Sequence, residues 1–196
     1  MWENKTVVVM GSGPSLTVDQ VESVKRSGHP LVVVNDGYKL APWAFMLYAC
    51  DRQWWRWHED TALKFKGLKV TVSDVAAELY RTKGLMWLPG EWENGFSQDP
   101  TRVYYGKSSG YQAANIAYLA GARRILLLGF DLRSIEGKNH WFGEHPNKVV
   151  SHYPGFVRIW ETVPKTIHGD CEIINVTPGS ALKIFPMMDL DEALAL

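Results

Sequence analysis

A β-branched run that ends in a glycine-rich turn is the feature that most constrains the fold of this chain. The sequence reads Thr-Val-Val-Val-Met over residues 6–10 and Gly-Ser-Gly-Pro-Ser over residues 11–15. Continuous β-branched residues are typical of a strand that is buried on both faces. Thr17 and Gln20 then match a capping box, so a helix is predicted to begin near Val18. The sequence therefore predicts a buried first strand, a loop and a helix.

The loop between this strand and this helix is a candidate anion site. Its glycines allow positive φ and let backbone amides approach a ligand, and the positive end of the helix dipole faces the same space. Leu16 stands where a dinucleotide-binding fingerprint needs its third glycine, so a dinucleotide dehydrogenase is a poor fit. A tight turn without a ligand is the alternative. The loop residues predicted to bind are Gly11, Ser12, Gly13, Pro14 and Ser15.

Polar residues follow three further apolar runs, at the points where the predicted strands end. They are Asn35 and Asp36 after residues 31–34, Asp51 after residues 45–50, and Asp131 after residues 123–128. Open α/β sheets place ligand contacts at the carboxyl ends of their strands. Asn35 is predicted to bind a base or a sugar and Asp36 a ribose hydroxyl, with a simple Asx turn as the alternative for both.

The start of a later helix has the composition of a second anion site. Lys107, Ser108, Ser109 and Gly110 precede an alanine-rich segment that ends at Gly121. Hydroxyl groups and free amides at a helix N-terminus, next to a lysine, are suited to an anion. Ser108, Ser109 and Gly110 are therefore predicted ligand contacts. The alternative is an ordinary serine cap.

Half of the six histidines lie in one polar segment, residues 133–153. They are His140, His145 and His152, and histidines in loops are suited to act as general bases or metal ligands. Their spacing differs from the i, i+4 pattern of a helical zinc site. A base is therefore favoured over a metal site, and no metal ligand is predicted.

The order of strands and helices predicts an α/β fold. We expect a three-layer Rossmann-like sheet, mostly parallel, with helices on both faces. The chain is interpreted as a single nucleotide-binding domain over residues 1–196, with irregular insertions near residues 89–106 and 133–153. The first insertion is expected to be an irregular excursion or a hairpin at the rim of the site.

Charge and composition exclude several classes. Lys plus Arg and Asp plus Glu are both 21, so no nucleic-acid partner is expected. The two cysteines are far apart and lack metal-ligand spacing, which argues against a disulfide scaffold or structural zinc. No leader or transmembrane run is recognised, so a cytoplasmic protein is expected. The nine tryptophans suit either stacking on sugars and bases or filling a core.

Several separated blocks together resemble the bacterial lipo-oligosaccharide sialyltransferases. In order they are Gly-Ser-Gly-Pro-Ser-Leu at 11–16, Asn35 after a valine strand, Ser109-Gly110, Gly129-Phe130-Asp131, Ser151-His152-Tyr153, and Thr-Pro-Gly-Ser-Ala-Leu at 177–182. The resemblance spans most of the chain. Small phage-encoded proteins of unassigned activity, and the Rossmann-like pyrophosphokinases of pterin synthesis, are similar in the first block and in the Gly-x-Asp block.

The resemblance implies a nucleotide-sugar fold in which CMP or a CMP-sugar is the donor ligand. It implies His152 as the base that deprotonates the acceptor hydroxyl, and Tyr153 as a group that assists the departing phosphate. The turn at Gly179 and Ser180 is implied to touch the donor. The family inverts the anomeric centre by direct displacement without a catalytic metal, so no cofactor is expected.

Two departures from the family leave the base open. Leu132 stands where the family has an aromatic residue, and the block at residues 140–145 resembles the phage proteins more than the transferases. His140 and His145 are therefore alternatives to His152 as the base.

Three functions remain open at this point. The first is a sialyltransferase-like glycosyltransferase that acts on a nucleotide sugar and on a small glycan or another acceptor. The second is a pyrophosphokinase-like enzyme in which Asp36, Asp51 and Asp131 gather Mg²⁺ and phosphates. The third is a phage-type accessory protein that keeps the scaffold without transferase activity and uses its tryptophan surface for a partner. A homo-oligomer is compatible with all three.

Overall fold

Seven parallel strands form the central sheet of the computed structural model, which describes residues 1–147 and 151–196. Two further short strands pair with each other outside this sheet. The strands in chain order are β1 (Thr6–Met10), β2 (Leu31–Val34), β3 (Met46–Tyr48), β4 (Leu68–Thr71), β5 (Leu85–Trp87), β6 (Gly90–Glu91), β7 (Val103–Tyr104), β8 (Arg124–Leu128) and β9 (Glu172–Asn175).

The strand order of the central sheet is β5-β4-β3-β2-β1-β8-β9. Every neighbouring pair is parallel, with Val8 opposite Leu31 on one side of β1 and opposite Leu126 on the other. The order reverses between β1 and β8, because the chain builds outward from β1 in one direction and then returns to its other side. Such a reversal opens a crevice at the carboxyl ends of the strands, where open α/β sheets bind ligands.

Helices pack on both faces of this sheet. They are α1 (Val18–Ser27), α2 (Arg52–Trp57), α3 (Glu59–Ala62), α4 (Asp74–Leu79), α5 (Ser109–Leu119), α6 (Tyr153–Trp160) and α7 (Leu190–Leu194). Side chains alternate along each strand, so Val8 and Met10 contribute to one core and Val7 and Val9 to the other. The first core includes α1, α2 and α7, and the second includes α5 and Trp160 of α6. The predicted α/β, Rossmann-like, mostly parallel fold is therefore confirmed.

The start of α1 is confirmed in detail. The side chain of Thr17 accepts a hydrogen bond from the amide of Gln20 at 3.3 Å, and the Gln20 side chain accepts one from the amide of Thr17 at 3.0 Å. This reciprocal pair is the predicted capping box, and the helix begins at Val18.

Two helical regions of the chain are interrupted. Around His58 the chain breaks and forms the two short helices α2 and α3. After α6, a separate 3₁₀ turn follows at Val163–Lys165. Pro164 lacks the amide that a continuous helix would use at this point.

The first predicted insertion, residues 89–106, contains two short strands but does not form a hairpin. Its strands β6 and β7 pair in parallel, with Gly90 opposite Val103, so the intervening residues cross over before the second strand begins. Residues 148–150 of the second predicted insertion lie outside the described residues. In the described part of the chain, no helix has the length and apolarity needed to cross a membrane.

Candidate functional site

A cleft of about 250 Å³ opens at the carboxyl ends of β1, β2, β3 and β8. It lies where the strand order of the sheet reverses, which is the position at which open α/β sheets bind ligands. Of the predicted site residues, it gathers Gly11, Ser12, Gly13, Pro14, Asn35, Ser108, Ser109, Gly110, Asp131, His140, His145 and Tyr153. The structure therefore brings together parts of the chain that are separated by more than a hundred positions.

The glycine loop after β1 is shaped by its contact with the end of β8. The amides of Gly11 and Gly13 donate to the carbonyl oxygens of Leu128 and Gly129, each at 2.8 Å. A β-carbon on Gly13 would overlap the Gly129 carbonyl and the Asp131 carboxylate. Neither Gly11 nor Gly13 has positive φ. The positive φ that glycine allows is therefore not used here, and glycine is required because two backbone segments approach closely.

Asp131 is the buried acid of the cleft. It is 1 % exposed, and its Oδ2 atom lies 3.4 Å from the backbone nitrogen of Ser15, which donates to it. Its Oδ1 atom has no hydrogen-bond partner among the described residues. Burial raises the pKa of this carboxyl, and bonds from Ser15 partly offset that rise. Because an unpaired buried oxygen is costly, Oδ1 is a strong candidate to accept a hydrogen bond from a ligand.

The N-terminus of α5 forms the cationic side of the cleft. The helix has 11 residues, and the Ser108 side chain caps it by accepting from the amide of Tyr111 at 3.3 Å. The first-turn amides of Ser109 and Gly110 have no intrahelical acceptor and carry the positive end of the helix dipole. Lys107 precedes them, is exposed and lines the same cleft. This side is suited to bind a phosphate or another anion.

Ser109 also fixes the end of β3. Its hydroxyl oxygen accepts from the amide of Cys50 and donates to Cys50 Sγ, both at 3.1 Å. Burial and the neighbouring Asp51 carboxylate raise the pKa of the Cys50 thiol to about 12. Cys50 therefore stays a neutral thiol near pH 7 and is not an activated nucleophile.

Backbone strain concentrates around the cleft. Five non-glycine residues in the described part of the chain have positive φ, and three of them line the cleft: Asn35, Lys107 and Leu132. Leucine rarely adopts this conformation, so Leu132 at φ 46° is the clearest case. Strained residues cluster at functional sites, which supports this cleft as the site.

Two of the three candidate histidines line the cleft. The ring of His140 stacks on Phe142 with a centroid distance of 4.9 Å, and its centroid lies 5.0 Å from that of His145. Burial lowers the pKa of His140, and His145 lowers it further. His140 is therefore neutral near pH 7, the form that a general base requires.

Tyr153 fixes the histidine segment against the cleft. Its hydroxyl donates to the Asn139 carbonyl oxygen at 2.9 Å, and the Asn139 side chain donates to Glu144 at 3.2 Å. Burial raises the pKa of Tyr153. The residue is protonated near pH 7 and is a hydrogen-bond donor rather than a base.

The other predicted site residues lie outside the cleft lining: Ser15, Asp36, His152, Gly179 and Ser180. Ser15 uses its amide on Asp131, and the buried Ser180 donates its hydroxyl to the Phe130 carbonyl at 2.6 Å. Gly179 lies against the Arg133 guanidinium. His152 is exposed at the start of α6. These residues support the walls or lie beside them.

Asp36 is buried behind β2 and fully occupied. Its Oδ1 accepts from Trp54 Nε1 at 2.9 Å, and its Oδ2 accepts from Lys39 Nζ at 2.5 Å. His58 Nε2 also lies 3.4 Å from Oδ1. The predicted contact with a ribose hydroxyl has no support in this arrangement, because both oxygens accept bonds from protein groups and Asp36 is outside the cleft lining.

Ten other residues line the cleft in addition to the contacts predicted for the donor and the base. They are Val34, Cys50, Asp51, Lys107, Gly129, Phe130, Leu132, Asn139, Ser151 and Phe156. Asp51 follows a predicted strand and Lys107 precedes a predicted helix, so the rule for strand and helix ends identifies their positions. Phe130 and Asn139 reach the cleft from loops, for which the sequence carries no periodic pattern, and Phe156 reaches it from α6. Within residues 1–147 and 151–196, no three His, Cys, Asp or Glu side chains converge in a metal-binding arrangement.

Comparison with known proteins supports the fold. The sequence matches no protein-family model and no curated protein. Among solved structures, the chain is similar to the MAf glycosyltransferase from Magnetospirillum magneticum AMB-1, with a TM-score of 0.72 and 12 % sequence identity. The match covers 97 % of this chain and 34 % of that protein, so this chain spans about a third of its length. The chain therefore has a fold found in part of a glycosyltransferase, a coarser result than the expected sialyltransferase family.

Proposed function

We propose that this protein is a glycosyltransferase that uses a cytidine nucleotide sugar and transfers the sugar with a histidine base. The observation that carries this proposal is the unpartnered, buried Oδ1 atom of Asp131, which belongs to the same cleft as the N-terminus of α5 and His140. One cleft thus combines an acceptor for a hydroxyl group, a site for an anion and a base. The glycosyltransferase fold of the structural neighbour supports the same class of reaction.

The charge of the donor phosphate suggests how the donor would bind in the cleft. Its phosphate would bind the free amides of Ser109 and Gly110 together with Lys107, because these supply directed donors and a positive charge. A ribose or sugar hydroxyl would donate to Asp131 Oδ1. Asn35, at the end of β2, would bind the base. The cleft volume of about 250 Å³ is close to the lower limit of about 300 Å³ for small-molecule sites, so it suits the nucleotide part of the donor.

The reaction is a direct displacement. The neutral imidazole of His140 takes the proton from the acceptor hydroxyl, and the hydroxyl oxygen forms a bond to the anomeric carbon. The bond from that carbon to the phosphate oxygen breaks at the same time, and CMP leaves with the bonding electrons. The leaving phosphate gains charge where the amides of α5 and Lys107 lie, which stabilises the transition state. The anomeric centre is inverted, and no metal takes part.

His140 is preferred to the other two histidines on structural grounds. His152 is exposed and outside the cleft lining, whereas His140 is half-buried and lines it. His145 also lines the cleft and stacks on Trp57 with a centroid distance of 6.1 Å. His140 combines a position in the cleft with a pKa that burial lowers.

The two alternatives receive less support. The magnesium-dependent reaction needs Asp36, Asp51 and Asp131 to converge, but Asp36 is engaged with Trp54 and Lys39. An accessory role makes no use of the free helix amides and the half-buried His140 that share one cleft.

A turnover assay with the three histidine variants tests the proposal. Release of CMP from CMP-sialic acid is measured by ³¹P NMR with a mixture of glycan acceptors, for the wild type and for His140→Asn, His145→Asn and His152→Asn. His140→Asn should lower the rate by about 100-fold or more, because general-base catalysis contributes about 10²–10⁴. His168→Asn, an exposed change far from the cleft, is the matched control.

The pH profile of the same assay gives a second readout. A base must be neutral, and the pKa of His140 is lowered. The rate should therefore stay constant as pH falls past the ordinary histidine value of about 6.5 and decline only below it. If cytidine nucleotides give no binding heat in calorimetry, or if only His152→Asn abolishes turnover, the proposal in this form is wrong.

A further inference from the structure

A second open groove adjoins the cleft. It has a volume of about 560 Å³ and lies between α6 and the segment that follows β8. Leu132 and Tyr153 line both the groove and the cleft, so the two spaces share a wall. A molecule bound in the groove would therefore lie next to a donor bound in the cleft.

The walls of the groove are mainly apolar. They include Leu132, Pro154, Val157 and Ala181. The positive φ of Leu132 turns the chain immediately after Asp131, at the ridge between the two spaces. The groove volume lies within the usual range of about 300–1,000 Å³ for small-molecule sites. It therefore fits a mono- or disaccharide better than a folded protein partner.

Two arginines mark this groove. Arg133 and Arg158 are both exposed and line it, together with one acid, Glu161. Neither arginine takes part in an ion pair in the described part of the chain. Arginine presents a planar fork of donors that matches a carboxylate or a phosphate. Two such cations outnumber the single acid, so the groove favours an anion.

The turn at residues 178–180 supports Arg133. A β-carbon on Gly179 would lie 2.9 Å from Arg133 Nη2, so the guanidinium rests against this turn. The amide of Ala181 donates to the Asp131 carbonyl oxygen at 2.8 Å, which links the turn to the segment after β8. Gly179 was predicted to touch the donor, but its place beside Arg133 associates it with the groove.

We propose that this groove is the acceptor site and that it selects an acceptor sugar bearing an anionic group, either a carboxylate or a phosphate. The anion would bind Arg133 and Arg158, and the sugar ring would pack on the apolar wall. The acceptor hydroxyl would then reach across the ridge of Leu132 and Tyr153 towards the cleft. The role of the bound sugar as the acceptor rests on the proposed glycosyltransferase function. The preference of the groove for an acidic sugar can be measured independently of that function.

Ligand-detected NMR titrations with matched sugars test this proposal. The probes are methyl β-glucoside as the neutral sugar, methyl β-glucuronide as the carboxylate, glucose 6-phosphate as the phosphate, and inorganic phosphate as the bare anion. At least one of the two acidic sugars should bind at least fivefold more tightly than both the neutral sugar and inorganic phosphate. The Arg133→Gln/Arg158→Gln variant should lose this preference. Arg81→Gln, an exposed arginine at the far edge of the sheet, should keep it.

Titration of CMP into the same proteins separates the two proposals. CMP should bind the double arginine variant as well as it binds the wild type, which shows that the variant is folded and that the cleft is intact. Equal binding of neutral and acidic sugars by the wild type, or a preference that survives in the double variant, would overturn the groove proposal alone. If CMP fails to bind the wild type while the acidic preference persists, the proposed function fails and the groove remains a site for acidic sugars.

Discussion

Asp36 and Asp131 are two buried aspartates that follow the two neighbours of β1, yet their surroundings differ. Asp36 is 3 % exposed and Asp131 is 1 % exposed. Both oxygens of Asp36 accept hydrogen bonds, from Trp54 and Lys39. One oxygen of Asp131 accepts from Ser15, and the other has no partner among the described residues. Similar positions in the fold therefore hold one satisfied acid and one unsatisfied acid.

The difference indicates what each acid does. A buried carboxylate with both oxygens engaged holds its neighbours in place, and its loss leaves their donors unpaired. A buried carboxylate with a free oxygen destabilises the unliganded protein and has a hydrogen bond to offer to a ligand. Asp36 therefore has a structural role, and Asp131 is the candidate contact for the substrate. The following predictions test this contrast.

The largest effect is expected for Asp36→Ala. The change leaves the buried Trp54 Nε1 without an acceptor and removes the ion pair with the half-exposed Lys39. The free energy of unfolding should fall by about 2–3 kcal/mol, measured by urea denaturation. Asp60→Ala, an exposed change on α3, is the control and should stay within about 0.5 kcal/mol of the wild type. If Asp36→Ala lowers the free energy of unfolding no more than the control does, Asp36 has no structural role.

The opposite result is expected for Asp131→Asn. The substitution keeps the shape of the side chain and an oxygen that accepts from Ser15. It removes the buried negative charge of a carboxylate whose Oδ1 atom has no partner among the described residues. At pH 7 the free energy of unfolding should be unchanged or higher by up to about 1 kcal/mol. A loss of more than about 1 kcal/mol would mean that Asp131, like Asp36, is structural.

The difference in unfolding free energy between the wild type and Asp131→Asn should change with pH in one direction. Burial raises the pKa of Asp131 in the folded protein. The wild type therefore loses stability relative to Asp131→Asn as pH rises through the folded pKa, and the two converge below the unfolded value of about 4. Denaturation of both proteins between about pH 3.5 and 8 should show the gap widening with pH. A gap that narrows with rising pH contradicts the assignment.

A smaller effect is expected for Lys107→Gln. Lys107 is exposed beside the N-terminus of α5, so its attraction to a phosphate is screened by solvent. The Kd for CMP should rise about three- to fivefold at low salt, and the difference should shrink in about 0.5 M salt. Lys83→Gln, an exposed lysine next to β5, is the matched control for calorimetry. A salt-independent change, or none, would mean that the anion does not bind beside α5.

The sequence predicts the scaffold well because the scaffold rests on local patterns. The valine runs at β1 and β2 and the capping box at Thr17 each indicate their own element without distant residues. The polar residues at strand ends also follow, since parallel strands bring their carboxyl ends to one edge. These features explain why the cleft includes most of the predicted contacts.

The sequence does not distinguish Asp36 from Asp131, because the partners Trp54 and Ser15 are remote from them along the chain. Trp54, which engages Asp36, is 18 positions away, and Ser15 is 116 positions from Asp131. The need for glycine at position 13 cannot be predicted from the sequence for the same reason. The atoms that exclude a side chain at Gly13 belong to Gly129 and Asp131. Packing between distant segments determines which predicted ligand contacts are free to bind.

Calorimetric titration of CMP into Asp131→Asn and Asp36→Asn tests the central contrast most directly. Both changes are isosteric, and Asp36→Asn keeps an acceptor for Trp54, so both proteins should fold. Loss of the hydrogen bond at Asp131 Oδ1 should raise the Kd for CMP about tenfold or more, while Asp36→Asn should leave it within about twofold of the wild type. Equal affinities for Asp131→Asn and the wild type, or a larger loss in Asp36→Asn, would contradict the account.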